Sequence, residues 1–324
     1  MEYGYLEHAR LDAFLETLRG FGELHGPTVS DTGVAAFARI DSPSALRLDY
    51  VRTLIPPKKY LLPFREELLL FRDGGYLPAG SPVPQIVLFG VHPCDLDGIA
   101  YLDRVFLGDP PDPRYAARRA RLTLVGVSCQ PDDYCFCSSP PDAAPCDLFL
   151  SALEGGFLLH PATPKGEDIL RAAQELLGEA ASPPPPAHPA TGIAPQDPQL
   201  RFSDHPLWER FARTCVSCGA CSVCCPTCYC FDVREYPALS GGATRIREWD
   251  NCLFKTHGEV AGSTFRGPRL ERLRYRFLHK YCGFSPLQGV VSCVGCGRCK
   301  SACPVEIDLR ELIPAPAGPE GGTP

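Results

Sequence analysis

The sequence predicts an α+β protein, with an N-terminal α/β domain followed by a mainly helical domain, and three observations carry that prediction. Two short apolar runs, Gln85 to Val91 and Leu122 to Val127, flank Leu96 to Phe106, whose apolar residues have helical spacing. A proline-rich segment begins at Ala181-Ser-Pro-Pro-Pro-Pro and continues to Pro198. Beyond it, cysteines crowd into two blocks.

Taken in order, Leu6, Leu11, Phe14, Leu15 and Leu18 predict an opening amphipathic helix over residues 5 to 20. The order strand, helix, strand between Gln85 and Val127 is that of an α/β unit. A further helix is expected from Lys165 to Glu179, which completes a domain over residues 1–180. The prolines of 181–200 lack amide donors and favour extended polyproline conformation, so this stretch reads as a linker. Residues 201–313 follow as the second domain, with a short helix at Pro206 to Arg213 and another at Pro268 to Tyr281. The Pro/Gly-rich tail, 314–324, reads as disordered. Arg269, Arg272, Arg274 and Arg276 on the later helix read as a solvated face.

The 324 residues carry a formal charge of -6, which opposes nucleic-acid binding, because that requires a basic surface. Met1 to Arg19 has no uninterrupted apolar core of the secretory type, and no apolar run is long enough to span a bilayer. Eighteen cysteines in a large chain without an export signal indicate a cytoplasmic metal protein rather than a disulfide framework.

The first block reads Cys215-Val-Ser-Cys218-Gly-Ala-Cys221-Ser-Val-Cys224-Cys225-Pro226, and the second Cys293-Val-Gly-Cys296-Gly-Arg-Cys299-Lys-Ser-Ala-Cys303-Pro304. Three cysteines separated by two residues wrap a cubane, and a fourth, three residues on and before proline, ligates the other cluster. Two 4Fe-4S clusters follow. Cys215, Cys218, Cys221 and Cys303 are the expected ligands of one; Cys293, Cys296, Cys299 and Cys225 are those of the other. Zinc also takes four thiolates, but its ribbons use paired cysteine doublets. The second domain is therefore expected to be ferredoxin-like, with a long insert from Pro226 to Ser292.

Other cysteines remain. Cys94 and Cys129 each follow a predicted strand, and the C-terminal ends of adjacent parallel strands share a crevice. With Cys135 and Cys137 they form a candidate third iron-sulfur site, where Asp95 or His92 can stand in for one thiol. Buried free cysteines and a redox dithiol are the alternatives. Cys228, Cys230 and Cys252 show no fourth ligand by spacing and read as packing around the first cluster. Cys146 and Cys282 stand apart.

Several strings resemble the family that contains the sulfhydrogenase beta subunits together with a matching component of anaerobic sulfite reductase: Phe89-Gly-Val-His-Pro-Cys-Asp-Leu, Asp103-Arg-Val-Phe-Leu, Cys135-Phe-Cys, Cys225-Pro-Thr-Cys-Tyr-Cys-Phe-Asp-Val, Trp249-Asp-Asn-Cys and Arg272-Leu-Arg-Tyr-Arg-Phe-Leu-His-Lys. The resemblance spans about Thr53 to Leu312 and departs at Lys255-Thr-His-Gly-Glu-Val-Ala-Gly-Ser-Thr-Phe, where the family has an aromatic-rich stretch. It implies a relay subunit between a flavin subunit that oxidises NAD(P)H and a catalytic hydrogenase or reductase subunit. No Gly-x-Gly-x-x-Gly fingerprint or P-loop appears. Two other readings are open. One is an enzyme whose own substrate or flavin site contains His92, Cys94, Asp95 and Asp97; the other is an iron-sulfur redox sensor.

Overall fold

Apolar runs with strand-like burial on both faces become the centre of a parallel sheet, and the computed structural model places them so. It describes residues 3–80, 82–137, 146–179, 194–239, 241–283, 287 and 289–313. Strands β2 (Glu23–Val29), β6 (Ile86–Val91), β7 (Leu122–Val127) and β8 (Leu148–Leu153) pair in parallel as β2-β6-β7-β8. Antiparallel strands extend both sides: β3 (Ala35–Arg39) beside β2, then β9 (Gly156–Pro161) beside β8 and β1 (Gly4–Glu7) at the far edge.

Helices cover both faces of this seven-stranded sheet. On one, α1 (Leu11–Arg19) and α4 (Pro164–Ala172) bury Phe14, Leu15, Leu18, Ile169 and Leu170 against Val87, Phe89 and Val125. On the other, α2 (Pro93–Phe106) buries Leu96, Ile99 and Leu102 against Leu88, Leu124 and Phe149, with Tyr115 of α3 (Pro113–Ala120) alongside. Each such buried leucine or phenylalanine contributes about 1.5–3 kcal/mol of apolar transfer.

The opening helix is shorter than its periodicity suggests. Leu6 is buried, but in β1, because backbone pairing with Leu158 and Phe157 of β9 claims these residues before the helix starts. The Lys165 to Glu179 helix likewise ends at Ala172, and Gly178 instead pairs with Tyr5. Thr163 begins it by accepting a hydrogen bond from the Gly166 amide.

The second half is helical only in part. Helices α5 (Leu207–Thr214), α6 (Ala220–Val223), α7 (Arg269–Phe277) and α8 (Arg298–Ser301) are present, and α7 continues into a π turn over Leu278–Cys282. The insert, however, also folds into a hairpin, β10 (Phe231–Pro237) and β11 (Ala243–Trp249). That hairpin pairs with β4 (Arg65–Arg72) and β5 (Gly75–Pro78), so one four-stranded sheet takes strands from both sides of the proline-rich stretch. A two-stranded ribbon, β12 (Glu259–Val260) with β13 (Ser263–Thr264), lies further along the insert. Of the predicted linker and tail, 181–193 and 314–324 fall outside the described residues.

An ionic knot stitches the four-stranded sheet to α3. Glu66 receives Arg247 at 2.6 and 3.0 Å, is bonded by Arg118, and lies 3.7 Å from Arg114, while Asp112 pairs with Arg247. Trp249 donates to the Leu62 carbonyl at 2.9 Å.

Candidate iron-sulfur centres

Both cysteine triplets adopt the same backbone path. Ser217 and Gly219 flank Cys218 with φ of 55° and 78°, and Gly295 and Gly297 flank Cys296 with φ of 70° and 71°. Gly219 and Gly297 each open one helical turn, α6 or α8, that carries the triplet's third cysteine. Glycine suits these left-handed positions because it has no Cβ to strain. At Gly295 a Cβ would stand 2.6 Å from the Cys137 amide nitrogen, and at Gly297 it would strike Tyr134.

The two triplets and the two later cysteines face one cavity. Its lining contains Cys215, Cys218, Cys221, Cys225, Cys293, Cys296, Cys299 and Cys303, with Val216, Leu253, Leu273, Val294 and Ile307 filling the spaces between. Trp208, Phe211, Phe277 and Tyr281 belong to the apolar core behind it. Burial pushes the Cys221 and Cys293 thiols each up to about 12. The thiolate of Cys225 adds to the burial that raises Cys293, Cys296 and Cys299, so Cys225 stands close to the second triplet rather than only to its own. Backbone amides reach the ligand sulfurs: Ser217 donates to Cys215 at 3.4 Å and Ile307 to Cys303 at 3.3 Å, and Gly295 bonds Cys293 and Arg298 bonds Cys296. Such bonds stabilise thiolate charge and raise a cluster's potential.

These residues fit iron-sulfur clusters by their chemistry. All eight donors are thiols, the walls between them are apolar but for the cations Arg276 and Lys280, and the left-handed turns let backbone amides approach sulfur. Among the described residues no three His, Cys, Asp or Glu side chains converge tightly enough for one metal ion. Thiols that share a cavity without meeting at a point suit a polynuclear centre, whose ligands attach at separate irons.

The N-terminal thiols also come together. Cys94 lies in the first turn of α2, directly beyond β6, and Cys129 lies just beyond β7. Cys137 shares hydrogen bonds with Cys135 and Cys94, and the half-buried Cys129 feels the charge of Cys94 and Cys135. The Cys137 bond and the nearby Arg52, which donates to Cys135 at 3.3 Å, bring the Cys135 thiol down to about 6. The loop carrying Cys135 and Cys137 is docked on the second triplet, with the Phe136 amide 2.8 Å from the Gly295 carbonyl. The four thiols therefore lie beside Cys296, which feels the charge of Cys94.

His92 and Asp95 have other engagements. His92 stacks on Tyr50 at 4.0 Å and its Nδ1 bonds the Val51 carbonyl, while Asp95 accepts from Arg298 at 2.7 Å. Asp97 is half-buried on α2. Cys146 and Cys282 are buried in apolar cores.

Sequence reasoning missed the buried cations. Arg272 and Arg276 do not form a solvated face; they turn inward beside Leu273 and Phe277 and are 7% and 4% exposed. Arg272 donates to the Leu253 carbonyl at 2.8 Å, and Arg276 to the Cys221 carbonyl at 2.8 Å and the Ser222 hydroxyl at 2.9 Å. Their i, i+4 spacing within Arg272-Leu-Arg-Tyr-Arg was the available signal. It gains meaning only beside an anionic neighbour.

Residues 214–307 match the 4Fe-4S dicluster domain family, which implies two 4Fe-4S clusters. Over 97% of its length the chain is 36% identical to the protein named sulfhydrogenase 2 subunit beta of Pyrococcus furiosus, covering 98% of that relative. No solved structure gives a significant match. No helix among the described residues is long and apolar enough to cross a membrane.

Proposed function

Because this chain belongs to the sulfhydrogenase beta-subunit family, we propose that it is a cytoplasmic electron relay. Single electrons pass through it between a flavin subunit that oxidises NAD(P)H and a catalytic hydrogenase or reductase subunit. The observation that carries this reading is the single cavity lined by all eight cysteines of the two triplet motifs.

In this reading Cys215, Cys218, Cys221 and Cys303 hold one 4Fe-4S cluster, and Cys293, Cys296, Cys299 and Cys225 hold the other. Cys94, Cys129, Cys135 and Cys137 hold a third iron-sulfur cluster, next to the second. A bound 4Fe-4S cluster supplies a one-electron couple, and the conversion from hydride transfer is left to a flavin elsewhere. The chain's residues bind, orient and insulate. Leu253, Leu273 and Ile307 exclude water, the Ser217 and Ile307 amides bond to ligand sulfurs, and Arg276 and Lys280 place positive charge at the cavity wall.

The test is reduction of the anaerobically purified chain, followed optically. Dithionite should bleach the isolated chain, whereas NADH or NADPH should do so only when the flavin subunit is present. Bleaching of the isolated chain by NAD(P)H, with flavin bound to it, would overturn the relay in favour of an enzyme with its own N-terminal site.

A further inference from the structure

A second set of thiols lies outside the two triplet motifs and the N-terminal group. Cys228 and Cys230 follow Cys225 in Cys225-Pro-Thr-Cys-Tyr-Cys, and Cys252 follows β11. The amide of Asp250 donates to the Cys230 carbonyl at 2.9 Å, which draws the end of the hairpin back to its start. The thiols of Cys230 and Cys252 then share a hydrogen bond, and Cys230 also feels the charge of Cys228. Arg276 faces both Cys228 and Cys252, and its Nη1 is 3.5 Å from the Cys228 sulfur.

Charge gives the independent argument. Lys58, Arg276 and Lys280 are 3%, 4% and 5% exposed. Among the described residues none of them has a carboxylate within ion-pair distance. Lys58 donates to the carbonyls of Cys228, at 2.8 Å, and Ser222, at 3.2 Å, and lies 4.2 Å from the ring of Trp249. Lys280 donates to the hydroxyls of Thr227, at 2.8 Å, and Ser292, at 3.2 Å. Hydrogen bonds to neutral groups leave a buried cation without a countercharge, and such burial is costly. Arg276 and Lys280 line the cavity of the two triplets, where clusters would answer them, but Lys58 does not. The ammonium of Lys58 instead faces Cys228, Cys225 and Cys224.

We infer that Cys228, Cys230 and Cys252 form a further iron-sulfur site, a three-thiolate cradle for an anionic cluster whose charge is answered by Lys58 and Arg276. Three cysteines suit a three-iron cluster, or a cubane whose remaining iron takes a ligand other than these thiols. A packing role for Cys228, Cys230 and Cys252 leaves Lys58 only Cys225, a ligand of the second triplet's cluster, to answer its charge. A Cys230–Cys252 disulfide does the same, since it is neutral. This site stands whether or not the N-terminal thiols bind a cluster.

The experiment is iron and acid-labile sulfide analysis of the full chain, prepared anaerobically, beside the double variant Cys230→Ser/Cys252→Ser. The double variant should lose about three to four irons per chain while the paramagnetic signals of the two triplet clusters persist. An unchanged iron content overturns the site and leaves the relay untouched. Should the double variant not fold, alkylation of the native wild-type chain with iodoacetamide, read by mass spectrometry, decides. Protection of Cys228, Cys230 and Cys252 that is lost together on iron removal supports the site. Modification of the iron-replete protein, or recovery of a Cys230–Cys252 disulfide, overturns it.

Discussion

Arg298 donates a 2.7 Å hydrogen bond to Asp95, and the two side chains are 2% and 0% exposed. Asp95 follows Cys94 in the first turn of α2, and Arg298 precedes Cys299 in α8. The ion pair therefore ties the N-terminal thiols to the second triplet across the join between the two halves of the chain. Arg298 is further held by the Thr53 carbonyl at 2.8 Å.

Removing one partner of such a pair strands the other charge. Asp95→Asn should lower unfolding free energy by about 3–5 kcal/mol, measured by anaerobic denaturant titration. The double variant Asp95→Leu/Arg298→Met should be less damaging than the single, because it strands no charge.

Glu66 makes a parallel prediction for the other join. Its carboxylate, 4% exposed, serves Arg247 and Arg118 and lies near Arg114. Glu66→Ala should cost about 3–5 kcal/mol by the same measurement, and Glu66→Gln, which keeps some of the hydrogen bonds, should cost less.

Gly295 tests the docking of the Cys135–Cys137 loop. Alanine at φ of 70° costs about 1–2 kcal/mol, and its Cβ would meet the Cys137 backbone at 2.6 Å. Gly295→Ala should therefore dislodge the loop and, if a cluster resides there, reduce iron by about four per chain. Iron analysis and electron paramagnetic resonance of the variant check this.

Iron removal should destabilise the dicluster region out of proportion to the mass lost. Arg276 and Lys280 would then sit in an apolar cavity without an anion, and cluster binding is itself folding free energy. Circular dichroism on heating should show the iron-free chain melting lower and less cooperatively than the iron-replete one.

The parts of the fold legible in the sequence are those governed by local pattern. Ile86–Val91, α2 and Leu122–Val127 follow from apolar spacing, and the strand-end positions of Cys94 and Cys129 are enough to put both in one crevice. The four-stranded sheet was hidden because Arg65–Arg72 follows three charged residues with only four apolar ones, Ala243–Trp249 mixes charge with apolar residues, and their pairing joins segments far apart in sequence. Arg272 and Arg276 misled for a related reason. Charged residues on a helix read as solvent-facing, and only the thiol-lined cavity beside them explains their burial. The mainly helical expectation does not extend to the insert, because β10 pairs with β11 and β11 with β4, outside the cysteine motifs.

In the proposed relay the two triplets exchange ligands, with Cys225 serving the cluster of Cys293, Cys296 and Cys299. The most direct test is low-temperature electron paramagnetic resonance of dithionite-reduced Cys225→Ser beside Cys303→Ser. The crossed arrangement predicts that Cys225→Ser perturbs the same signal as Cys293→Ser, and Cys303→Ser the same signal as Cys215→Ser. If Cys225→Ser instead perturbs the signal lost in Cys215→Ser and spares the other, each triplet holds its cluster with its own fourth cysteine, and the crossed relay is contradicted.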